Sequence, residues 1–181
     1  MSTSLPHTPV SWEIKFKEEI LLDHILAHLH IPSGSKILDL TCGSGETTEY
    51  LSIKGYEAIG IDVDMEKIRH GLLMYKNLSL YQHDMQDIFY VHFFHLALVL
   101  YTDEVFIRKP NENGYILKNI FTCLAPGGFL VLGLKTEGMA SIQPLIDNVL
   151  GKDYPVEQIS LIPASESKGT RLPNHLLIFK K

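Results

Sequence analysis

The chain of 181 residues is 45% hydrophobic and carries a formal net charge of -5, which predicts one domain with a sizeable core. This acidic balance provides no electrostatic footprint for a nucleic acid and no polybasic patch for a membrane surface. No apolar run reaches the roughly 18 residues of a membrane span, no signal peptide is recognisable, and the two cysteines, Cys42 and Cys123, are typical of a reducing, cytoplasmic compartment.

The hydrophobic spacing predicts an N-terminal helix followed by a regular alternation of strands and helices. Residues 1–11 are polar and are predicted to form a flexible arm, and residues 12–31 are predicted to form a helix that ends before Pro32. Residues 35–135 form the predicted core of the domain. Its strands are expected at Lys36–Leu40, Glu57–Asp62, Ser79–His83, His95–Tyr101 and Phe129–Leu134, and its helices at Gly45–Lys54, Met65–Tyr75 and Asn111–Leu124.

The C-terminal part, residues 136–181, is predicted to contain a helix at about 139–150 and a pair of strands, Val156–Ile162 and Leu172–Lys180. The polar loop Pro163–Arg171 joins these strands and is too short for a helical crossover, so the final strand should be antiparallel. The pattern of elements predicts an α/β fold, a doubly wound, mostly parallel seven-stranded sheet with helices on both faces. We expect the whole chain to form a single domain.

A glycine turn, Gly43-Ser-Gly45, follows the first predicted strand of the core and opens its first helix. Glycines there let the backbone approach a ligand, and Asp62 at the end of the next strand can accept hydrogen bonds from the hydroxyls of a ribose. A dinucleotide site needs a third glycine where this chain has Thr48, and Asp39 beside the turn would repel a pyrophosphate. The same carboxylate suits a cation such as the ammonium of an amino acid. The electrostatics therefore favour S-adenosylmethionine over NAD.

Several motifs in the core occur in the order found in class I S-adenosylmethionine-dependent methyltransferases, and the chain resembles that family. The segment Asp39-Leu-Thr-Cys-Gly-Ser-Gly45 resembles the first motif, an acidic residue followed by alternating glycines, although Thr41 replaces the first glycine. His83-Asp-Met85 resembles the segment that reads the adenine, and Leu124-Ala-Pro-Gly-Gly128 resembles the turn before the fifth strand. The resemblance implies these cofactor-binding residues: Asp39, Thr41, Gly43, Gly45, Asp62, Val63, Asp84, Met85 and Leu100.

The acceptor side is expected after the fourth strand, where the resemblance places the transferring methyl group. Asp103 is the first candidate for a base or an acceptor-orienting residue, and Tyr101 is a second catalytic candidate that could line the pocket. The Asn/Asp-Pro-Pro-aromatic signature of nucleic-acid and protein amino methyltransferases is absent at this position, which favours a small-molecule acceptor. His95, which stands where relatives often have Asp, is interpreted as a residue of the strand edge.

Weaker patterns lie outside this core. The N-terminal arm, with His7 and Trp12, is a candidate lid over the cofactor. His24 and His28 have a helical spacing that suits metal ligands, but no third ligand accompanies them, and no metal is predicted. Three charged residues of the polar loop are candidates for holding an anionic substrate: Glu166, Lys168 and Arg171.

The sequence therefore predicts an S-adenosylmethionine-dependent methyltransferase that acts on a small molecule by in-line transfer, as a cytoplasmic monomer or homodimer without nucleic acid or membrane partners. An NAD-dependent oxidoreductase on a similar sheet stays open as an alternative. So do a non-catalytic cofactor-binding module with a protein partner and an enzyme that uses S-adenosylmethionine for another reaction. The acceptor atom does not follow from these residues.

Overall fold

The structure is a computed structural model that describes residues 10–14, 18–88, 90–101, 113–135, 142, 156–163 and 172–181. In these ranges the chain forms an eight-stranded sheet with helices. The strands are β1 (Val10–Ile14), β2 (Lys36–Leu40), β3 (Glu57–Asp62), β4 (Ser79–Gln82), β5 (Phe94–Val99), β6 (Leu124–Leu134), β7 (Val156–Pro163) and β8 (His175–Lys180). The helices in the described ranges are α1 (Glu18–His28), α2 (Glu46–Ile53), α3 (Met65–Met74) and α4 (Asn113–Cys123).

The order of the described strands across the sheet is β1-β7-β8-β6-β5-β2-β3-β4. β2 pairs in parallel with β3 and β5, whereas β8 runs antiparallel to both β6 and β7. The predicted fold class is confirmed, including the antiparallel last strand, and β1 adds an eighth strand at the edge. The chain leaves β2 towards β3 and β4 and then returns to β5 on the other side. Ligands of open α/β sheets bind at such a switch point, at the carboxyl ends of the strands.

Side chains of the central strands alternate between two apolar layers. Leu38 of β2 packs in the layer that contains Ile116 of α4, which we call the α4 face. Ile37 packs in the layer that contains Leu22 of α1, which we call the α1 face. Both faces are covered, and the strands are accordingly apolar on both sides. Asp39 has the same parity as Ile37 and therefore lies on the α1 face.

The structure corrects the expected boundary between arm and helix. Val10–Ile14 forms β1, which pairs in parallel with β7, and the described helix begins only at Glu18. The segment Val10-Ser-Trp-Glu-Ile14 alternates apolar and polar residues with the period of a strand. The prediction instead counts Ile14 among the apolar residues of α1. This one residue fits both the alternation of a strand and the spacing of a helix, so the sequence pattern does not separate the two.

Further differences concern the C-terminal half. The predicted turn Ala125–Gly128 lies within β6 as an irregularity, because Phe94 pairs with Leu124 and Leu96 with Phe129. Residues 172–174 precede β8 and are not part of it. The predicted helix at about 139–150 lies outside the described residues except for one buried helical position, residue 142. None of the described helices is long and apolar enough to cross a membrane.

Candidate active site

A cavity of about 940 Å³ opens at the carboxyl ends of β2, β3 and β5, beside the point where the strand order reverses. Its wall also includes the segment after β4, the first turns of α1 and α2, and the segment before β8. This volume lies in the range of small-molecule pockets. The predicted residues that line it are Asp39, Thr41, Gly43, Asp62, Val63, Asp84, Met85, Leu100 and Tyr101.

The turn between β2 and α2 combines several residues with positive φ. Thr41, Gly43 and Gly45 have φ of 63°, 59° and 92°. The Cys42 N–H donates to the Ile61 carbonyl of β3 at 3.1 Å, and the Gly45 N–H donates to the Cys42 carbonyl at 2.9 Å. These bonds fix the turn against the sheet. Thr41 is strained in this conformation, since a β-branched residue rarely adopts it.

Asp62 connects the glycine turn with the loop that leads into α3. Its Oδ2 accepts a hydrogen bond from the Gly43 N–H, and its Oδ1 accepts one from the Asp64 N–H, both at 2.9 Å. Each carboxylate oxygen has further acceptor capacity, and Asp62 also lines the cavity. The carboxylate can therefore receive the two hydroxyls of a ribose while it holds the turn in place.

Asp39 is the buried charge of the site, with only 4% of the residue exposed. Its Oδ2 accepts from the Thr48 hydroxyl at 2.6 Å, and no other donor among the described residues contacts this carboxylate. Burial raises the pKa of Asp39 to about 7; the Thr48 hydrogen bond opposes this rise, and the nearby Glu18, Asp62 and Glu46 add to it. A cation in the cavity would favour the ionised form. The arrangement fits the ammonium of S-adenosylmethionine, and Thr48 fills the position of a third glycine.

The segment after β4 borders the cavity on the α4 face. Asp84 accepts from the Gln86 N–H at 3.0 Å, and Asn119 of α4 donates to the Gln86 carbonyl at 2.6 Å. Met85, which is 7% exposed, and Ile116 line the same part of the wall and pack in the apolar layer of this face. An apolar surface next to a carboxylate suits an adenine ring with its exocyclic amine, in agreement with what the family resemblance implies.

Some predicted residues lie away from the cavity. Gly45 does not line it; a Cβ there would meet the Leu80 side chain at 2.8 Å, so this glycine allows α2 to pack against β4. His95 lies near the start of β5, at the other end of the strand, and accepts from the Lys36 N–H at 3.0 Å. Trp12 belongs to β1 and not to a free arm. The candidates that lie outside the described residues are His7, Asp103, Glu166, Lys168 and Arg171.

Two contributions to the site were not predicted from the sequence. Glu18 lines the cavity and accepts a hydrogen bond from the Thr47 hydroxyl at 2.5 Å. Gly71 brings α3 against the glycine turn, because a Cβ there would lie 2.1 Å from the Ser44 carbonyl oxygen. A glycine inside a helical pattern is a signal for such close packing. No local pattern points to Glu18, because its contact joins residues 29 positions apart.

Among the described residues, no group of three or more His, Cys, Asp or Glu side chains is arranged to hold a metal ion. His28, one of the two histidines with helical spacing, instead lies 3.0 Å from the Glu157 carboxylate of β7. This pair ties α1 to the sheet.

A family model described as "Methyltransferase domain" matches residues 37–128, the segment that supplies most of the cavity wall. The chain is 30% identical over 105 residues to YqeM of Bacillus subtilis (strain 168), whose name describes a methyltransferase; the match covers 56% of this chain and 42% of that protein. It is 22% identical over 107 residues to a dTDP-3-amino-3,4,6-trideoxy-alpha-D-glucopyranose N,N-dimethyltransferase of Streptomyces venezuelae, covering 59% and 45%.

Among solved structures, a SAM-dependent methyltransferase of Methanosarcina mazei matches with a TM-score of 0.68 at 16% identity, over 93% of this chain and 99% of that chain. This likeness shows a shared fold. The chain spans less than half of the length of either curated relative.

Proposed function

This chain belongs to the family of class I, S-adenosylmethionine-dependent methyltransferases, and on that premise we propose that it transfers a methyl group from S-adenosylmethionine to a small-molecule acceptor. The observation that carries the proposal is Asp39, a buried carboxylate beside a glycine turn, which lines the cavity together with Asp62. One carboxylate suits the ammonium and the other suits the ribose. The buried Asp39 beside the turn would repel the pyrophosphate of a dinucleotide.

Different residues of the cavity wall would bind different parts of the cofactor. Asp39 would bind the ammonium, Asp62 the ribose hydroxyls and Asp84 the exocyclic amine of the adenine, with Met85 and Ile116 against the ring. When bound, S-adenosylmethionine supplies a methyl group that its sulfonium already activates. The main contribution of the chain is therefore to position the donor and the acceptor, which accounts for a large part of the rate in such reactions.

The small size of the acceptor is supported by the cavity and by the charges that line it. Lys67 is the one lysine or arginine among the described lining residues, whereas a nucleic-acid site needs several. The relative from Streptomyces venezuelae is named for a dTDP-linked amino sugar. We infer a small-molecule acceptor for this chain as well, with Tyr101 and Asp103 as the proposed catalytic candidates.

The test is a transfer assay with S-adenosylmethionine that is radiolabelled in its methyl group. The wild-type protein and an Asp62→Ala control are incubated with a cell extract separated into small-molecule, protein and nucleic-acid fractions. We expect label in the small-molecule fraction with the wild-type protein and much less with the control. Label that enters only the protein or the nucleic-acid fraction would contradict a small-molecule acceptor.

A further inference from the structure

We propose that Glu18 contacts the methyl acceptor and that this acceptor is an amine. The inference rests on the proposed methyltransferase function and adds to it the chemical class of the acceptor and a residue that binds it.

The two faces of the sheet divide the cavity into two ends. Met85 and Ile116, which suit the adenine, belong to the apolar layer of the α4 face. Tyr101 and Leu172 line the cavity as well, but they pack against the layer of the α1 face. Glu18 is the first residue of α1 and lines the cavity on this same side. With the adenine on the α4 face and the ammonium of the cofactor at Asp39 on the α1 face, the methyl group lies between them, and we place the acceptor beside Glu18, Tyr101 and Leu172.

A hydrogen bond orients the carboxylate of Glu18. The Thr47 hydroxyl, on a residue that is only 7% exposed, donates to Glu18 Oε1 at 2.5 Å. Thr47 belongs to the first turn of α2, directly after the glycine turn, and α1 packs beside α2. Among the described residues no donor contacts Glu18 Oε2. One oxygen is therefore fixed by the protein, and the other can accept from a ligand in the cavity.

The charge of the cavity wall favours an amine over an acidic acceptor. Lys67 is the one lysine or arginine on the described wall. Asp39, Asp62 and Asp84 are assigned to the cofactor, so the acidic residues of the described wall that remain for the acceptor are Glu18, Glu46 and Asp64. An acceptor with its own carboxylate or phosphate near the reacting atom would meet like charges. The acidic residues on the described wall are Glu18, Asp39, Glu46, Asp62, Asp64 and Asp84.

The chemistry of amine methylation places positive charge where Glu18 can stabilise it. The neutral amine attacks the methyl carbon with its lone pair while the carbon–sulfur bond breaks and its electron pair passes to sulfur. Positive charge moves from sulfur to nitrogen, and the products are S-adenosylhomocysteine and a methylammonium, which then releases a proton to water. A carboxylate fixed beside the nitrogen stabilises this developing charge in the transition state.

The experiment compares three ligands of the same size, benzylamine, benzyl alcohol and benzoate, by saturation-transfer NMR on the protein with S-adenosylhomocysteine bound. It is repeated with Glu18→Gln, which keeps the acceptor oxygen for Thr47, and with Glu19→Gln as the matched control. Glu19 is the neighbouring residue, exposed and outside the cavity wall. Thr47→Val provides a second variant, which leaves the Glu18 charge in place and removes the donor that orients it.

We expect saturable binding of benzylamine, weaker binding of the alcohol and none of benzoate. At about pH 8.5, where Asp39 is ionised, Glu18→Gln and Thr47→Val should lower the affinity for benzylamine at least fivefold without changing that for S-adenosylhomocysteine. Glu19→Gln should behave as the wild type. Benzoate binding equal to that of benzylamine, no binding of any of the three, or an unchanged affinity in Glu18→Gln would overturn the amine assignment. Failure to bind S-adenosylhomocysteine in the first place would instead refute the proposed function.

Discussion

Replacing Asp62 by Asn should destabilise the fold and weaken the cofactor site together, because both oxygens of this carboxylate hold backbone N–H groups. Asn has a single acceptor oxygen, so its NH₂ must face the N–H of either Gly43 or Asp64, and one of the two bonds at 2.9 Å is lost. A hydrogen bond to a charged group contributes about 1.5–3 kcal/mol. The free energy of unfolding should therefore fall by about 2 kcal/mol, which lowers Tm by about 4–8 °C in a domain of this size.

Asp64→Asn is the matched control for this prediction. Asp64 Oδ1 accepts from the N–H groups of Glu66 and Lys67 at 3.0 and 3.3 Å, and Asn keeps this oxygen and caps helices equally well. The control removes the same charge two residues away, and its stability should change by less than about 0.5 kcal/mol.

Thermal unfolding and calorimetric titration with S-adenosylhomocysteine measure the two effects of Asp62→Asn separately. We expect the Kd of this variant to rise about 5- to 150-fold, which corresponds to about 1–3 kcal/mol for polar groups left unpaired. The Kd of Asp64→Asn should change much less. A wild-type Tm in Asp62→Asn would refute the role of Asp62 in holding the turn, and a wild-type Kd would refute the ribose assignment.

Four further predictions concern the site and the residues around it. Because burial raises the pKa of Asp39 to about 7, the ionised carboxylate that binds the ammonium becomes rarer below pH 7, and the affinity for S-adenosylhomocysteine should rise about tenfold for each pH unit up to pH 7 and then level off. Asp39→Asn should show an affinity that does not depend on pH, and a remaining slope in that variant would exclude Asp39 as its source. The same raised pKa means that, between about pH 4 and 7, the native state holds a proton that the unfolded state has released. As the pH rises through this window, the free energy of unfolding should therefore fall by roughly 4 kcal/mol on account of Asp39. Urea denaturation of the wild type and of Asp39→Asn measures this contribution. Gly71→Ala should lower Tm, because the added Cβ would lie 2.1 Å from the Ser44 carbonyl oxygen, although Ala favours helices over Gly by about 1 kcal/mol. The control His70→Ala changes an exposed residue and should leave Tm unchanged. Equal Tm values in the two variants would contradict the close packing at Gly71. Asp103→Asn should leave the affinity for S-adenosylhomocysteine intact and slow turnover, and wild-type turnover would remove Asp103 as the base.

The central strands and the carboxylates at the cofactor pocket could be predicted because their signals lie in short stretches of sequence. Lys36–Leu40 and Glu57–Asp62 have the predicted bounds, since each is a largely apolar run with a carboxylate at or next to its last residue, followed by a change of composition. The chemistry of Asp39 and Asp62 follows from their positions at the ends of these strands. The place of Asp39 and Asp62 in these strands is therefore enough to predict that both carboxylates face the cofactor pocket.

The remaining features depend on contacts between distant parts of the chain. β1 exists because it pairs with β7, and Glu18 reaches the cavity because α1 packs beside α2, so neither carries a sufficient local signal. The double role of Asp62 also requires the geometry, since the sequence does not show that the Gly43 N–H lies 2.9 Å from its carboxylate. The sequence predicts the ligand of Asp62 but not its contribution to the turn.

Calorimetric titration of the purified protein with S-adenosylhomocysteine, with NADH measured in parallel, tests the proposed cofactor site most directly. We predict that S-adenosylhomocysteine binds with a Kd in the micromolar range, about −8 kcal/mol, and that NADH does not bind, because Asp39 would repel its pyrophosphate. Binding of NADH, or no binding of S-adenosylhomocysteine, would contradict the assignment of the glycine turn and of the carboxylates around it.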